Sequence, residues 1–143
     1  MSNLCGYAIL YRNNLDSERL SMWCRGIRGA TTVDNNTKED ILNSAKELLQ
    51  KMIDANGLQP ENVACAIFTT THDLNAEFPA AAARQLGWAN TALLCAQEMN
   101  VPGSLQRCLR ILILYNTEKS AEEIVHVYIK GATTLKGAAS QKK

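Results

Sequence analysis

Two arginines lie in segments whose other residues favour burial. Arg110 stands within the apolar run Cys108–Leu114, and Arg28 stands within Gly26–Thr32, where small residues leave space around it. A guanidinium removed from water needs an anion, which is either a carboxylate of the protein itself or a ligand. Two arginines on separate strands could clamp a dicarboxylate. The sequence therefore leaves two interpretations open, internal ion pairs or an anion-binding site.

Several other polar side chains are weaker candidates for chemistry. Cys95 and Glu98 lie where a predicted strand runs into a loop, a position from which side chains reach into clefts. Cysteine in an apolar strand is equally typical of a core, and an exposed glutamate is usually only solvated. Tyr128 alternates with apolar neighbours, so it could touch a ligand or form a cross-strand aromatic contact. His72 beside Asp73 is thin support for a metal ion, and we predict no metal site.

The balance of charge limits the partners. Fifteen Lys and Arg residues against 14 Asp and Glu residues leave a net charge of +1, so no global field attracts nucleic acid or an anionic membrane. The segment Gly26–Gly29 has the Gly-x-x-Gly spacing of a KH-type nucleic-acid loop, but that loop joins helices and works on a basic surface. We therefore predict no nucleic-acid partner, and any anion must be recognised locally.

The cysteine usage and the absence of long apolar runs favour the cytoplasm. The five cysteines are odd in number and form no Cys-x-x-Cys pair, as expected in a reducing compartment. No apolar run approaches the roughly 20 residues of a membrane helix, and the amino terminus lacks the pattern of a secretion signal. We expect a cytoplasmic protein without a membrane partner.

The hydrophobic patterns predict an α+β domain. Apolar residues recur at three- and four-residue steps over Lys38–Asn56, which predicts a helix with Thr37 at its start and Gly57 at its end. The order of predicted elements, β, α, β, α, β, β, β, is typical of an α+β fold. The other elements are strands over Trp23–Val33, Val63–Phe68, Ala92–Cys95, Leu105–Tyr115 and Ile124–Lys130 and a short helix from Pro79 to Gly87.

Five segments follow one another in the order Arg25–Val33, Phe78–Arg84, Cys95–Glu98, Val101–Leu105 and His126–Tyr128. Taken together, they resemble the motifs of AroH-class chorismate mutases. The resemblance implies a mixed β-sheet backed by helices, assembled as a homotrimer that forms a pseudo α/β-barrel with active sites at the subunit interfaces. It also implies the intramolecular Claisen rearrangement of chorismate to prephenate, without a cofactor, in the biosynthesis of phenylalanine and tyrosine.

The same resemblance implies roles for individual residues. Arg28, Glu98 and Arg110 would be catalytic, with both arginines holding the anionic substrate. Arg110 would also donate to the ether oxygen as negative charge develops there, and Glu98 would accept from the substrate hydroxyl. The substrate-binding residues would be these three together with Phe78, Ala80, Arg84, Cys95, Tyr128 and Leu135.

The chain departs from the family pattern in three places. Ala81 stands where the family often has a basic residue, and Lys136–Ala139 replaces the usual Arg-Pro-Asp-Leu. The first 21 residues have no counterpart. We therefore divide the chain into an extension over residues 1–21, a chorismate mutase domain over 22–136 and a disordered tail over 137–143.

A rival interpretation is a non-catalytic trimeric protein of the same fold that binds or senses a small molecule. The combination of Arg28, Glu98 and Arg110 favours an enzyme, because a simple binder of a dianion has little use for a nearby carboxylate. We therefore predict that chorismate and prephenate are the ligands of this site.

Overall fold

A mixed β-sheet forms the centre of the structure, which is a computed structural model describing residues 21–139, with side chains through Lys136. The predicted extension, apart from Ser21, and residues 140–143 of the predicted tail lie outside the described residues. The strands are β1 Trp23–Thr32, β2 Val63–Thr70, β3 Ala92–Gln97, β4 Cys108–Thr117 and β5 Val127–Tyr128. The helices are α1 Lys38–Asn56 and α2 Ala80–Gln85, and 3-10 helices cover Pro60–Asn62, Ala121–Glu123 and Lys130–Ala139.

The five strands are arranged in the order β3-β2-β4-β1-β5. Strand β4 is antiparallel to both of its neighbours, β1 and β2, whereas β3 is parallel to β2 and β5 is parallel to β1. The predicted order of elements and the predicted α+β class are both confirmed. None of the helices in residues 21–139 is long and apolar enough to span a membrane.

Helix α1 begins and ends where local signals in the sequence place its ends. The Thr37 side chain accepts a hydrogen bond from the Asp40 N–H at 3.1 Å, and Gly57 ends the helix at a φ of 67° that favours glycine. The face turned to the sheet is apolar and buried. It consists mainly of Ile41, Leu42, Ala45, Leu48, Leu49 and Met52.

The hydrophobic core lies between the helices and one face of the sheet, which we call the inner face. Ile27, Phe68 and Ile113 point from three neighbouring strands into this core and are fully buried. Gly29 lies on the same face, where an added Cβ would collide with the side chains of Met52 and Leu48. The missing side chain therefore lets α1 pack close to β1, the strand that carries Arg28.

The opposite, outer face of the sheet is apolar, and residues 21–139 leave most of it uncovered. Ile67 and Leu112 are half-buried there, and Leu94 is 58% exposed. Arg110 alternates with Leu109 and Ile111 along β4, so it lies on the outer face, where its side chain is 46% exposed. The expectation that Arg110 is buried is wrong, because only every second residue of this apolar run faces the core.

Two strands begin three residues later in the structure than predicted, whereas the bounds of the other three differ from prediction by at most two residues. The strand predicted over Leu105–Tyr115 begins only at Cys108, because Arg107 adopts a left-handed φ of 47°. The strand predicted over Ile124–Lys130 contains only the two residues of β5. There, the backbone of Val125 is bonded to the Asn56 side chain instead of to a strand.

The last 3-10 helix continues through Ala139, three residues into the segment predicted to be disordered. Its start packs against the end of β1, where the Gly131 N–H donates to Thr32 Oγ1 at 3.1 Å. A Cβ on Gly131 would lie 2.8 Å from Thr32 Cγ2, so glycine permits this approach. The contact brings Leu135 over the outer face of the sheet.

Candidate active site

The two arginines singled out in the sequence lie next to each other on the outer face. Arg110 is paired in register with Ala30, and Arg28 is paired with Leu112, so the arginines are diagonal neighbours on antiparallel strands β1 and β4. They line one cavity of about 470 Å³, a volume typical of small-molecule sites. Tyr128 and Leu135 line the same cavity. The structure thus brings together four of the predicted site residues.

Glu98 joins this cluster through Arg110. Its carboxylate Oε1 lies 3.2 Å from Arg110 Nε, and the two side chains are 22% and 46% exposed, respectively. The Glu98 N–H donates to Thr70 O at 2.9 Å, which fixes the residue just beyond the end of β3. Arg110 therefore has a carboxylate partner within the chain, as the interpretation of an internal ion pair expects. It also faces an open cavity, as an anion-binding site would require.

Thr69 is a site residue that the sequence analysis missed. Its hydroxyl donates to Glu98 Oε1, the oxygen that also faces Arg110. Thr69 is the register partner of Arg110 across β2 and β4, and it lines the cavity. The signal that could have found it is cross-strand register, which the sequence alone does not provide.

Tyr128 is placed by the short parallel pairing of β5 with β1. It pairs with Ala30, and the Ile129 N–H donates to Ala30 O at 3.0 Å. Its neighbours Val127 and Ile129 pack against the core. The prediction that Tyr128 faces away from the apolar side of its strand is confirmed.

The other predicted binding residues lie elsewhere in the chain. Phe78, Ala80, Arg84 and Cys95 line a separate depression of about 320 Å³ beside the edge strand β3. Phe78 is 70% exposed, whereas Cys95 is half-buried and packs against the core from the inner face. Within one chain, these four residues do not share the cavity of the arginine pair. We call this second depression the β3-edge pocket.

Asp73, next to the exposed His72, has a structural role. Burial acts to raise the pKa of Asp73, but hydrogen bonds from the Thr71 hydroxyl and the Arg107 N–H outweigh it and lower that pKa. Asp73 thereby holds the turn that leads into β4. Within residues 21–139, no group of three or more His, Cys, Asp or Glu side chains is arranged to hold a metal ion.

Together, the fold and the site define an α+β protein with a cavity on an open sheet face, where Arg28 and Arg110 line the cavity and Glu98 pairs with Arg110. A model of the family described as chorismate mutase type I matches residues 24–138. The chain belongs to this family, and its function is that of a chorismate mutase, an isomerase. The family favours this enzyme over the alternative of a non-catalytic sensor.

Relatives and a solved structure agree with this assignment. The protein named chorismate mutase AroH from Thermus thermophilus is 50% identical over 113 residues, which cover 78% of this chain and 93% of the relative. The protein of the same name from Bacillus subtilis is 43% identical over 116 residues, covering 80% and 91%. A solved structure of a chorismate mutase from Clostridium thermocellum is 47% identical with a TM-score of 0.76, covering 77% of this chain and 98% of that one.

Proposed function

We propose that the protein converts chorismate to prephenate in a cleft formed by the arginine cavity of one subunit and the β3-edge pocket of another. The observation that carries this proposal is that Arg28 and Arg110 line one open cavity and that Glu98 pairs with Arg110. Two cations against one carboxylate suit a dianionic substrate. The product would enter the biosynthesis of phenylalanine and tyrosine, as the family implies.

The reaction is a rearrangement within one molecule. One carbon–oxygen bond of the ether breaks while one carbon–carbon bond forms, so atoms and electrons balance without another reactant. Negative charge develops on the ether oxygen as its bond breaks. Catalysis therefore needs a preorganised donor at that oxygen and contacts that hold the substrate in its compact reactive shape.

Arg110 is suited to the donor role. Its Nε lies 3.2 Å from Glu98 Oε1, and the two terminal nitrogens carry four further N–H donors. Those nitrogens can donate hydrogen bonds to the ether oxygen and to a carboxylate at the same time, because the guanidinium is planar. The hydrogen bond from the Thr69 hydroxyl to Glu98 and the ion pair between Glu98 and Arg110 orient the guanidinium before the substrate binds.

The remaining residues would bind and orient the substrate. Glu98 would accept from the substrate hydroxyl and face the positive part of the polarised transition state, with Cys95 contributing a weaker contact near that hydroxyl. Arg28 and Tyr128 would bind carboxylates, since both line the arginine cavity. The lining of the cleft would be completed by Phe78, Ala80, Arg84 and Leu135.

A homotrimer would unite the two halves of this site. Among the described residues, little covers the apolar outer face of the sheet, and no further strand pairs with β3 beside the β3-edge pocket. Exposed apolar surface of this kind marks a protein interface, and closed symmetric assembly covers the same patch on every copy. In such an assembly the β3-edge pocket of one subunit would face the arginine cavity of the next.

Mixing two inactive variants tests the shared cleft. Arg110→Ala damages the arginine cavity and Arg84→Ala damages the β3-edge pocket, so each variant alone is expected to be inactive. When the two variants are mixed at equal amounts and assemble at random, about a quarter of the interfaces would combine an intact arginine cavity with an intact β3-edge pocket, because each cleft draws on two subunits. Recovery of about a quarter of the wild-type rate supports the shared cleft, whereas an active monomer in light scattering or no recovery after mixing contradicts it.

A cytoplasmic location is part of the proposal. The four described cysteines, Cys24, Cys65, Cys95 and Cys108, are free thiols, which suits a reducing compartment. Burial raises the pKa of the Cys108 thiol, so this residue stays a neutral core group. Cell fractionation tests the location, and recovery of the protein outside the cytoplasmic fraction would contradict it.

The activity is tested by incubating purified protein with chorismate and identifying the product by NMR. Prephenate should form in a one-to-one ratio with the chorismate consumed, and Arg110→Ala serves as the matched control. Any other product, or an equal rate in the control, would contradict the proposed reaction.

A further inference from the structure

The backbone N–H of Arg28 is hydrogen-bonded to a side chain. It donates to Nδ1 of His126 at a distance of 3.1 Å. Strand β5 pairs with β1 only at Gly29 and Ala30, so the imidazole supplies an acceptor one residue before this pairing begins. The hydrogen bond therefore extends the contact between β1 and the segment of β5 by one residue, to Arg28, which lines the arginine cavity.

His126 also directly precedes β5, the two-residue strand that contains Tyr128. A single imidazole thus connects the position of Arg28 on β1 with that of Tyr128 on β5, and both of these residues line the arginine cavity. Nδ1 can accept only when it carries no proton, which places the proton of the neutral ring on Nε2.

We propose that neutral His126 is a positioning residue that holds Arg28 and Tyr128 in their catalytic arrangement, so that its protonation lowers the rate. This inference rests on the proposed function. His126 acts through these two residues and does not itself contact the substrate. Neither the family roles implied by the sequence nor the mechanism above uses it.

The surroundings of His126 favour the neutral ring. Burial lowers the pKa of His126, and the positive charge of Arg28 lowers it further. The other charged groups on elements packed against β5 include Glu47 of α1 and Lys130, which pair with each other at 3.5 Å, and Lys136 of the last 3-10 helix. Protonation would remove the acceptor for Arg28 and would place a second cation beside its guanidinium.

The direction of the pH effect follows from the lowered pKa. As the pH falls below about 6.5, the ordinary value for histidine, the unfolded chain takes up this proton before the folded protein does. The contribution of His126 to the free energy of unfolding is therefore present at higher pH and is lost as the pH falls. The loss of rate should follow at a lower pH, at the pKa of His126 in the folded protein.

Two substitutions distinguish the role of the hydrogen-bond acceptor of His126 from the role of its aromatic ring. His126→Asn places Oδ1 near the position of Nδ1, so it keeps an acceptor that does not titrate. His126→Phe keeps a planar ring of similar size and removes the acceptor. His72→Asn is the matched control, because His72 is the other histidine of the chain and is exposed.

The measurement is kcat/KM for chorismate between about pH 5 and about pH 8, the range in which histidine titrates. The wild type and His72→Asn should lose rate on the acid side with an apparent pKa below about 6.5. His126→Asn should stay within about threefold of the wild type at neutral pH and lose that acid dependence, whereas His126→Phe should lose about tenfold throughout. An unchanged acid limb in His126→Asn, or full activity in His126→Phe, would overturn the proposal.

Nitrogen NMR of the labelled wild type gives a second readout that needs no turnover. The expected result is an unprotonated Nδ1 in His126 and an Arg28 amide signal that shifts with the titration of the ring. A proton on Nδ1 at neutral pH overturns the inference even if His126→Phe fails to fold. If the wild type does not convert chorismate at any pH, the proposed function is wrong, and the NMR result still decides whether neutral His126 holds Arg28.

Discussion

Replacing Arg110 with alanine is expected to cost far more rate than stability. The substitution removes the pair with Glu98, whose Nε–Oε1 distance is 3.2 Å and whose arginine side chain is 46% exposed. Water screens so exposed a pair, so it contributes only about 0 to 1 kcal/mol to folding. The proposed contact with the ether oxygen forms as charge develops, and loss of one such donor typically raises the barrier by about 3 to 4 kcal/mol.

These magnitudes give two measurable outcomes for Arg110→Ala. The melting temperature should fall by at most about 4 °C, since 1 kcal/mol shifts a domain of this size by a few degrees. The value of kcat should fall about 100- to 1000-fold. Arg110→Lys should recover little of this rate, because lysine keeps the charge but lacks the planar fork of donors.

A second arginine on the sheet provides the control. Arg25→Ala removes a hydrogen bond from Nε to Lys119 O at 3.0 Å and a cation–π contact with the Trp23 ring at 5.4 Å. Arg25 does not line the arginine cavity, so a similar loss of stability should leave kcat unchanged. Melting temperature and kcat are measured on the same samples. If Arg110→Ala melts several degrees lower yet keeps a rate within about threefold of the wild type, Arg110 only neutralises Glu98 and the mechanism is wrong.

Four further perturbations test other parts of the account. Glu98→Gln should keep the fold and lose about a hundredfold in kcat, because it deletes the charge that faces the transition state; near-normal turnover would remove Glu98 from the mechanism. Thr69→Val should lower kcat about threefold to tenfold by releasing the Glu98 carboxylate, and an unchanged rate would show that this hydrogen bond orients nothing. A chain starting at Met22 should melt and turn over like the full chain, since it keeps all residues that match the family; loss of either property would refute the division of the chain. Gly29→Ala should lower the free energy of unfolding by about 1 to 3 kcal/mol through collision with Met52, and an unchanged midpoint in urea would contradict the close approach of α1.

Local signals in the sequence were enough to predict the elements whose ends are set by contacts between residues close in sequence. Helix α1 was predicted with both of its ends, because the Thr37 cap and the left-handed Gly57 act within a single turn of chain. Strand β5 was predicted too long, because β-propensity does not reveal which partner a segment finds. In the structure, side chains of Asn56 and His126 take the place of strand partners around it.

The exposure of Arg110 could not be predicted from the sequence, because it depends on which face of the sheet the helices cover. A continuous apolar run is typical of a strand buried on both faces, and that pattern suggested a buried guanidinium. In the described part of the chain, both α-helices instead pack on the inner face, so alternate residues of β4 such as Arg110 remain open. Covering that face by other subunits would reconcile the apolar sequence with the open sheet.

The composition of the site could be predicted only in part. The resemblance named Arg28, Arg110, Tyr128 and Leu135, and the structure places all four around one cavity. Thr69 escaped prediction, because its contact with Glu98 depends on the register of strands that are remote in sequence. The separation of the arginine cavity from the β3-edge pocket likewise follows from strand order and from the two faces of the sheet, which no local motif encodes.

The central claim, that this cluster catalyses a rearrangement and does not merely bind a dianion, is tested most directly by two readouts on the same purified protein. Calorimetry measures chorismate binding, and the loss of its ultraviolet absorbance measures turnover in the presence of EDTA. The wild type should consume chorismate over many turnovers, and Arg110→Ala should lose at least about a hundredfold in kcat while retaining much of its affinity. Tight binding of chorismate by the wild type without any loss of absorbance would contradict the account and would identify a binding protein.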